Sequence, residues 1–477
     1  MKFFPFILFV VFTIFLLTSC GGCFKSKTIT KHRRVTDTLV VDLPLSVFNI
    51  PVTYELKDFE IWINQVIKGD FFETIINPLS DDRDEAKLIL TKKKLIQVRS
   101  SGNELICIIP LEAEVVLIKS RLGKMLTSAA KPMITTVNIE LSTSVSLDKN
   151  WNLVTAFKIK RANWDIEPVF QMGPFKKNLK DEINKWLWAN DQKLARQLDN
   201  EINKTVSMKS AVEKIWKDLQ KPIIIRKKTP GVWLQFSCFS LEGKIELGTT
   251  NITCKTKVKA NTKIITDITL AAAVTNLPNY QFLKESSSVS DVHLYAFTSF
   301  AEINEQLNTQ LKGKRFTAQG YTMELKHFDA YASDSGFAME VTTRKDIKGK
   351  FIATGKLEFD SVAQTLQIRN FDYSFNSNNT LVNAGDLLLH EQVRDTIATY
   401  LTLKMSALIN SIPELVEQAI ATGKSKDQVE LYFDELTINH CHISMGALGV
   451  HFIIHAEATA GIHIKKINPG KRMNVEK

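Results

Sequence analysis

Histidines near the C-terminus are the residues of this chain whose type and spacing could hold a metal ion. Five of the nine histidines lie there, at His440, His442, His451, His455 and His463. In extended strands His440 and His442 share one face, as do His451 and His455. A turn at residues 446–449 would bring the two pairs together. Imidazole ligands in such a group suit zinc or copper.

The same segment supports a simpler interpretation, in which the histidines lie on the solvent side of a strand. The residues that alternate with them are apolar, at Val450, Phe452, Ile454 and Ala456. A strand with one apolar and one polar face buries the apolar face. We therefore expect no metal site and no cofactor. The weak candidate ligands are His440, His442, His451 and His455.

A set of catalytic side chains is not recognisable in the sequence. It contains no Gly-x-Ser-x-Gly, no phosphate-binding Gly-x-x-x-x-Gly-Lys and no dinucleotide-binding Gly-x-Gly-x-x-Gly. His390-Glu391 begins like the zinc-binding helix of a metalloprotease, but Arg394 stands where the second histidine is needed. We predict a helix N-terminus there, without metal. Together these patterns favour a protein that is not an enzyme.

Cys20 closes a short apolar N-terminus. Lys2 supplies a positive charge, and residues 3–17 form an almost unbroken apolar run. That run is too short to span a bilayer and has the length of a signal-peptide core. Leu17-Thr18-Ser19-Cys20 resembles a bacterial lipobox, in which the cysteine becomes the new N-terminus and carries the lipid. The resemblance implies a signal peptide at residues 1–19 and lipid attachment, for example of palmitate, at Cys20.

Export and charge limit the location and the partners. Gly21 follows the cysteine, where an Asp would signal inner-membrane retention in some bacteria. We therefore expect a protein of the bacterial cell envelope, lipid-anchored on the periplasmic face of the outer membrane. The formal net charge of +10 favours anionic surfaces. Export argues against a nucleic-acid partner and leaves protein partners unknown.

The sequence offers few cysteines that could form disulfide bonds. The six cysteines include Cys238 and Cys254, which could pair across neighbouring strands. The sequence alone leaves that pairing open, because it does not fix the separation of the two Cα atoms.

One order of elements occurs twice along the chain. The first copy has a strand and then a short helix with apolar residues at helical spacing, Leu56, Phe59, Ile63 and Ile67. The second copy has the same spacing at Phe300, Ile303, Leu307 and Leu311. Asn64 matches Asn308, and Lys68-Gly69 matches Lys312-Gly313 as helix stops. Agreement of this kind predicts an internal repeat.

The repeat divides the chain into predicted segments. These are the signal peptide at 1–19, a flexible tether at 20–38, a first module at 39–275, a linker at 276–291, a second module at 292–467 and a basic tail at 468–477.

Each copy also contains a long stripe of apolar residues at helical spacing, which predicts a long amphipathic helix. The first stripe runs over residues 179–206 and the second over residues 393–420, where Pro413 should start a new segment or kink the helix. Such a stripe is either core or the lining of a groove, if a curved sheet leaves a gap. The candidate groove residues are Leu194, Leu198, Ile202, Ile397, Leu401, Met405, Leu408 and Ile412.

This repeated order of strand, short helix, antiparallel strands, striped helix and closing strands resembles the tubular lipid-binding (TULIP) architecture. Two modules in tandem resemble the bactericidal/permeability-increasing protein arrangement. A lipobox before two such halves resembles the bacterial lipoprotein family called domain of unknown function 4403. The resemblance implies an α+β fold of two tandem modules, each a curved antiparallel β-sheet wrapped around a long α-helix.

The same resemblance implies a function. A phospholipid or another hydrophobic ligand would bind, without catalysis, in an apolar groove between helix and sheet. Two alternatives remain open. One is a structural envelope lipoprotein that fills its grooves with its own side chains and binds protein partners, and the other is an envelope hydrolase.

Overall fold

Strands with alternating buried and exposed side chains dominate the structure. It is a computed structural model that describes residues 32–67, 69–77, 84–119, 131–172, 175–205, 208–227, 231–376 and 380–465. These residues have the predicted α+β fold class, with 7 helices and 24 strands in several antiparallel sheets. Cys20, the signal peptide and the basic tail lie outside the described residues, as do the side chains of Leu194 and Leu408.

The strands fall into two halves of the chain. Those of the first half are β1 (Ser46–Glu55), β2 (Gly69–Ile76), β3 (Glu85–Lys92), β4 (Gln97–Ser101), β5 (Glu104–Lys119), β6 (Met133–Thr143), β7 (Val145–Leu147), β8 (Leu153–Thr155), β9 (Lys158–Trp164), β10 (Val169–Met172), β11 (Phe175–Asn178), β12 (Ile223–Arg226), β13 (Val232–Leu247), β14 (Asn251–Ile265) and β15 (Gln281–Phe282). Those of the second half are β16 (Ser290–Ser299), β17 (Arg315–Ala318), β18 (Tyr321–Ser333), β19 (Gly336–Lys345), β20 (Gly349–Asp360), β21 (Thr365–Asn376), β22 (Leu403–Lys404), β23 (Val429–Gly446) and β24 (Gly449–Ile464).

The helices lie between these strands. They are α1 (Leu56–Val66), α2 (Lys180–Ala189), α3 (Asp191–Thr205), α4 (Met208–Leu219), α5 (Phe300–Leu311), α6 (Thr380–Tyr400) and α7 (Ser406–Ala421), with a 3₁₀ turn at Ile268–Leu270. No helix among the described residues is both long enough and apolar enough to cross a membrane.

One sheet of eight strands, called here the central sheet, joins the two halves. Its order is β12-β13-β14-β1-β16-β24-β23, with β15 beside β13. Each of β1 and β16 runs antiparallel to a strand of its own half, β14 and β24 respectively. Short parallel pairings then cross between the halves, β1 with β24 and β14 with β16. Because these pairings are reciprocal, one network of backbone hydrogen bonds connects both halves.

Each half also has a sheet and an apolar core of its own. In the first half, β2, β3, β5, β6 and β9 form a sheet, with β4 beside β5, and its core includes residues of α1, α2 and α3. In the second half, β17 to β22 pair in chain order, and their core includes residues of α5 and α6. The central sheet therefore lies between two separately packed cores.

Equivalent asparagines fix the short helix of each half to the backbone of one residue, Ile96 just before β4 in the first half and Phe328 of β18 in the second. The side-chain oxygen of Asn64 accepts a hydrogen bond from the backbone N–H of Ile96 at 2.8 Å, and its amide donates to the Ile96 carbonyl at 2.8 Å. Asn308 makes the same two bonds with Phe328, at 3.1 and 3.0 Å. The sequence match between Asn64 and Asn308 thus corresponds to a shared structural role.

The two short helices also begin and end alike. The first backbone N–H of each helix donates to the turn of a central-sheet hairpin, at the carbonyls of Thr250 and Leu448. The glycines beyond their last turns, Gly69 and Gly313, have φ angles of +73° and +85°. A side chain with a Cβ is strained in that region, which explains why glycine recurs at the two stops.

The sequence predicts one long helix for each apolar stripe, and this prediction is wrong, because each stripe is divided among shorter helices. The first is divided among α2, α3 and α4, and α2 ends where the Asn190 side chain donates to the Trp186 carbonyl at 2.9 Å. The second is divided between α6 and α7, because Leu403 and Lys404 pair with the edge of β21. Pro413 lies inside α7, so the break falls ahead of the predicted position.

Two further expectations from the sequence are corrected. His390 lies in the middle of α6 and not at a helix N-terminus. Cys238 lies opposite Ala260 and Cys254 opposite Ile245, so the two thiols do not face each other, and both are free. The helix around His390 begins earlier because the helical spacing continues upstream of this residue. The two cysteines do not pair because their separation depends on the strand register, which is a long-range property that cysteine positions do not reveal.

The described end of the predicted tether contacts the second half. The guanidinium of Arg34 pairs with the Asp329 carboxylate and lies 3.9 Å from the ring centroid of Tyr331. The backbone N–H of Val35 donates to the Ala332 carbonyl at 2.9 Å. The chain therefore passes along β18 of the second half before it enters β1 of the first.

We expect Asn64→Ala and Asn308→Ala each to lower the free energy of unfolding by about 1–3 kcal/mol, because each leaves the backbone N–H and C=O of Ile96 or Phe328 without their side-chain partner. Chemical denaturation of the purified protein measures this loss. Asn410→Ala, at an exposed position of α7, is the matched control and should be neutral or slightly stabilising. Equal effects at all three positions would contradict the shared role.

Candidate functional site

An apolar cleft lies between the central sheet and the helices α4 and α7. It encloses about 1210 Å³ of empty space, counting its open mouth. Its lining comes from both halves of the chain: Phe48, Ile50, Leu219, Leu234, Phe236, Cys238, Val258, Thr262, Ile264, Ser290, Val292, Leu294, Met405, Ile409, Ile412, Val416, Leu431, Phe433, Leu436, Ile438, Ile454, Ala456, Ala458 and Ala460. The period-2 alternation of the strands places these side chains on one face of the sheet.

The two hydroxyl groups in this lining are engaged by the protein itself. Thr262 Oγ1 donates to the backbone carbonyl of His293. Ser290 Oγ accepts from the backbone N–H of Asn49 at 2.9 Å and lies 3.4 Å from the Asn49 carbonyl. The surface offered to a ligand is therefore apolar almost throughout, and no charged residue belongs to the lining.

Asp218 fixes the helical wall of the cleft. Its side chain, 2% exposed, stands at the end of α4 and accepts hydrogen bonds from the N–H and hydroxyl of Ser425 at 2.9 and 3.0 Å. Lys221 Nζ donates to it at 2.6 Å. Although burial opposes ionisation, these donors hold the pKa of Asp218 below its usual value. The contact ties α4 of the first half to the segment after α7 of the second.

A second apolar pocket lies toward the first half, with about 700 Å³ of empty space. It is lined by residues of the central sheet, α1, β5 and the β7–β8 hairpin, among them Tyr54, Phe59, Leu105 and Leu153. This pocket reaches the core of the first half, because Tyr54, Phe59 and Leu105 also belong to that core.

The structure separates the groove residues proposed from sequence. Met405 and Ile412 line the cleft. Leu198 and Ile202 lie in the closed core of the first half, and Ile397 lies in that of the second, at 0–1% exposure. Leu401 packs against the second core. The breaks in the two stripes turn their parts toward different surroundings, which a single helical period could not show.

The C-terminal histidines meet only in part. His440 lies opposite His455, with ring centroids 4.8 Å apart. His442 lies opposite Ile453, and Nδ1 of His451 is 3.0 Å from the Tyr295 hydroxyl. These two histidines therefore do not join the others.

Two residues that the sequence analysis passed over complete the group. Oδ1 of Asp291 lies 2.7 Å from Nε2 of His455 and 3.3 Å from Nε2 of His293. The sequence signal that could have found them is Asp291-x-His293 in β16, because residues two apart in a strand share a face and so place both side chains together.

His390 belongs to a separate cluster between α6 and β21. Its Nε2 lies 2.8 Å from Oδ1 of Asp372, and its ring stacks on Tyr373 with centroids 4.2 Å apart. The Tyr373 hydroxyl donates to Asp386 at 2.9 Å. The carboxylates of Asp386 and Asp372 raise the pKa of His390 above its usual value. The arrangement favours the charged form of His390 and fixes its ring between Asp372 and Tyr373.

The structure thus defines an α+β protein with an apolar cleft shared between its halves. The sequence profile described as Domain of unknown function (DUF4403) matches residues 44–464, and the chain belongs to this family. Among solved structures, a crystal structure of lipopolysaccharide binding protein aligns with 89% of this chain and 100% of that chain, at 10% identity and a TM-score of 0.34. A search of curated proteins gives no match.

We expect His390→Gln to destabilise the protein more at low pH than at high pH. Because the folded state raises the pKa of His390, its stabilisation is complete below the unfolded pKa of about 6.5 and is lost as pH rises through the folded value. The loss should be about 1.5–3 kcal/mol near pH 5.5 and about 0.5–1.5 kcal/mol near pH 9. Denaturant unfolding at both pH values measures it, with exposed His327→Gln as control. A loss independent of pH would contradict the charged pairing.

Proposed function

We propose that this chain is a lipid-anchored envelope protein that binds a lipid or another hydrophobic ligand, without catalysis, in the cleft of the central sheet. The observation that carries the proposal is the cleft lining, in which all but Thr262 and Ser290 of the residues are apolar. Both hydroxyls are already bonded within the protein. Such a surface recognises apolar shape and cannot pair a buried polar group.

The chemistry of the cleft suits such a ligand. Apolar side chains from strands of both halves and from α7 line it. Each methylene that leaves water contributes about 0.8 kcal/mol, so a chain of eight methylenes supplies about 6 kcal/mol. A ligand with its acyl chain in the cleft places apolar groups against the apolar lining. Its polar head at the mouth stays in water and avoids the cost of desolvation.

We also infer that the two halves are TULIP-like modules in tandem, arranged as in the bactericidal/permeability-increasing protein. The matching bonds of Asn64 and Asn308 support this, as do the left-handed glycines after both short helices. The reciprocal pairing of β1 with β24 and of β14 with β16 adds an approximate twofold relation between the halves.

Membrane attachment through Cys20, on the periplasmic face of the outer membrane, completes the proposal. Residues 33–37 contact the second half through hydrogen bonds to Asp334, Ala332 and Ala447. From Cys20 to His32 the chain has twelve peptide steps, 32 minus 20, and reaches at most about 43 Å when extended. The anchor would therefore hold the second half near the membrane surface.

We expect Ile412→Trp to reduce ligand occupancy. Ile412 lines the cleft from α7, so an indole there takes space from the ligand. If it displaces about two methylenes, affinity falls about tenfold. Native mass spectrometry of the protein purified in detergent, followed by solvent extraction, measures the co-purifying hydrophobe. Ala407→Trp, at an exposed position of the same helix, is the control and should keep wild-type occupancy.

The same experiment decides between this function and its alternatives. If the wild type carries no hydrophobe and Ile412→Trp only lowers stability, the cleft is part of the packed core, which the indole overfills. The structural interpretation then replaces ours. Hydrolysis of an added lipid ester that one side-chain substitution abolishes would instead establish an enzyme.

We expect Cys20→Ala to abolish acylation and to leave uncleaved precursor. The reason is that a lipobox attaches the lipid to the thiol of the cysteine that ends the motif, here Cys20, before the signal peptide is cleaved. Metabolic labelling with palmitate, read on the precipitated protein, measures this. Cys23→Ala is the matched control and should label normally. Label that survives Cys20→Ala would refute the anchor.

A further inference from the structure

Three adjacent strands of the central sheet carry histidines in one row. His293 of β16 lies opposite His455 of β24, and His455 lies opposite His440 of β23. Val292 and Ala456, which alternate with these histidines, line the cleft. Since successive side chains of a strand point to opposite faces, the histidine row occupies the face of the sheet behind the cleft.

A β-bulge brings His440 into this row. Ile438 lines the cleft, and in a regular strand a residue two positions later would face the same way. The register shifts between Ile438 and His440, which turns His440 to the opposite face beside His455. Bulges that re-aim a side chain are frequent near functional sites.

Asp291 completes a group of metal-type donor atoms with His293 and His455. These three donor atoms all lie within 4.8 Å of one another. The two imidazole rings are stacked, with centroids 4.7 Å apart, and both direct Nε2 toward Oδ1 of Asp291. In a tetrahedral zinc site with bonds of about 2.0–2.2 Å, ligand atoms are about 3.3 Å apart. Small movements of side chains would therefore form such a site.

The first half fixes the backbone that presents these ligands. Ser46 of β1 is fully buried, and its hydroxyl accepts a hydrogen bond from the N–H of His293 at 2.9 Å. The same hydroxyl lies 3.2 Å from the carbonyl of His293. The ligand strand is thus held at its position before any ion binds, which lowers the ordering cost of binding.

We propose that Asp291, His293 and His455 bind a divalent transition metal behind the cleft, and that zinc, which two imidazoles and a carboxylate suit, is its ion. Nδ1 of His455 is buried and has no partner among the described residues. A metal at Nε2 places the ring proton on Nδ1, and the imidazole of His440, whose ring centroid is 4.8 Å from that of His455, would accept this proton after a small rotation. His440 is therefore a positioning residue, while the other three are ligands.

The neighbouring thiol does not compete for the ion. Cys441 lies opposite Ile454, whose side chain lines the cleft, so the thiol is on the other face of the sheet from the histidine row. The metal site does not depend on what the cleft binds, because it uses the opposite face of the sheet.

Titration of chelator-treated protein with zinc sulfate, followed by calorimetry, tests the proposal. The anchored protein in detergent is used without a polyhistidine tag. We expect one zinc ion per chain. His293→Ala, His455→Ala and Asp291→Asn should each lower the affinity by more than about 100-fold, whereas His440→Ala should lower it by about 10–100-fold. His442→Ala and His451→Ala are the matched controls and should bind as the wild type does.

A second measurement covers variants that fold poorly. Zinc should raise the melting temperature of the wild type and of His442→Ala but not that of the isosteric Asp291→Asn, since only a bound ion stabilises the folded state. Failure of the wild type to bind zinc, or equal binding by all variants, would overturn the proposal. Neither outcome bears on the lipid measurement, which is made on the cleft.

Discussion

The crossing of strands between the two halves is the constraint on which the rest of the structure depends. β1 pairs antiparallel with β14 of its own half, and β16 pairs antiparallel with β24 of its own half. Between the halves, β1 pairs parallel with β24, and β16 pairs parallel with β14. Backbone groups in a sheet must be paired, so neither half can shift without breaking hydrogen bonds of the other. The cleft lies on this shared sheet, and its lining comes from strands of both halves.

The alternation of side chains gives the two faces of that sheet different chemistry. On β16, Val292 and Leu294 line the cleft, while Asp291 and His293 lie behind it. The helices α4 and α7 cover the apolar face incompletely, and the buried Asp218–Ser425 contact holds them together. One strand therefore serves an apolar site and a polar site, since a pleated strand separates them by its own geometry.

The sequence predicted what depends on local spacing. The two short helices, their asparagines, their glycine stops and the family follow from residues near each other in the chain, and these predictions are confirmed. The sequence also predicted the α+β class correctly.

What the sequence missed depends on distant contacts. The pairing of Leu403–Lys404 with β21 interrupts the second stripe, and no local period reveals an edge strand. The bulge at Ile438–His440 reverses the direction of one histidine, and the register of β16 with β24 brings Asp291 and His293 to His455. The contacts of Asp291 and His293 with His455 join residues more than 150 positions apart, and the other two depend on strand pairing, so only the fold brings these residues together.

The most direct test of the account is the response of Trp216 to a ligand in the cleft. Trp216 packs with Cys238 and Val258, which also line the cleft. A fatty acid with bromine on its acyl chain should quench tryptophan emission, and Trp216→Phe should remove most of that quenching while binding is retained. Quenching that is unchanged in Trp216→Phe, or a bound ligand that leaves Trp216 emission untouched, would contradict the central claim that the shared sheet forms the binding site.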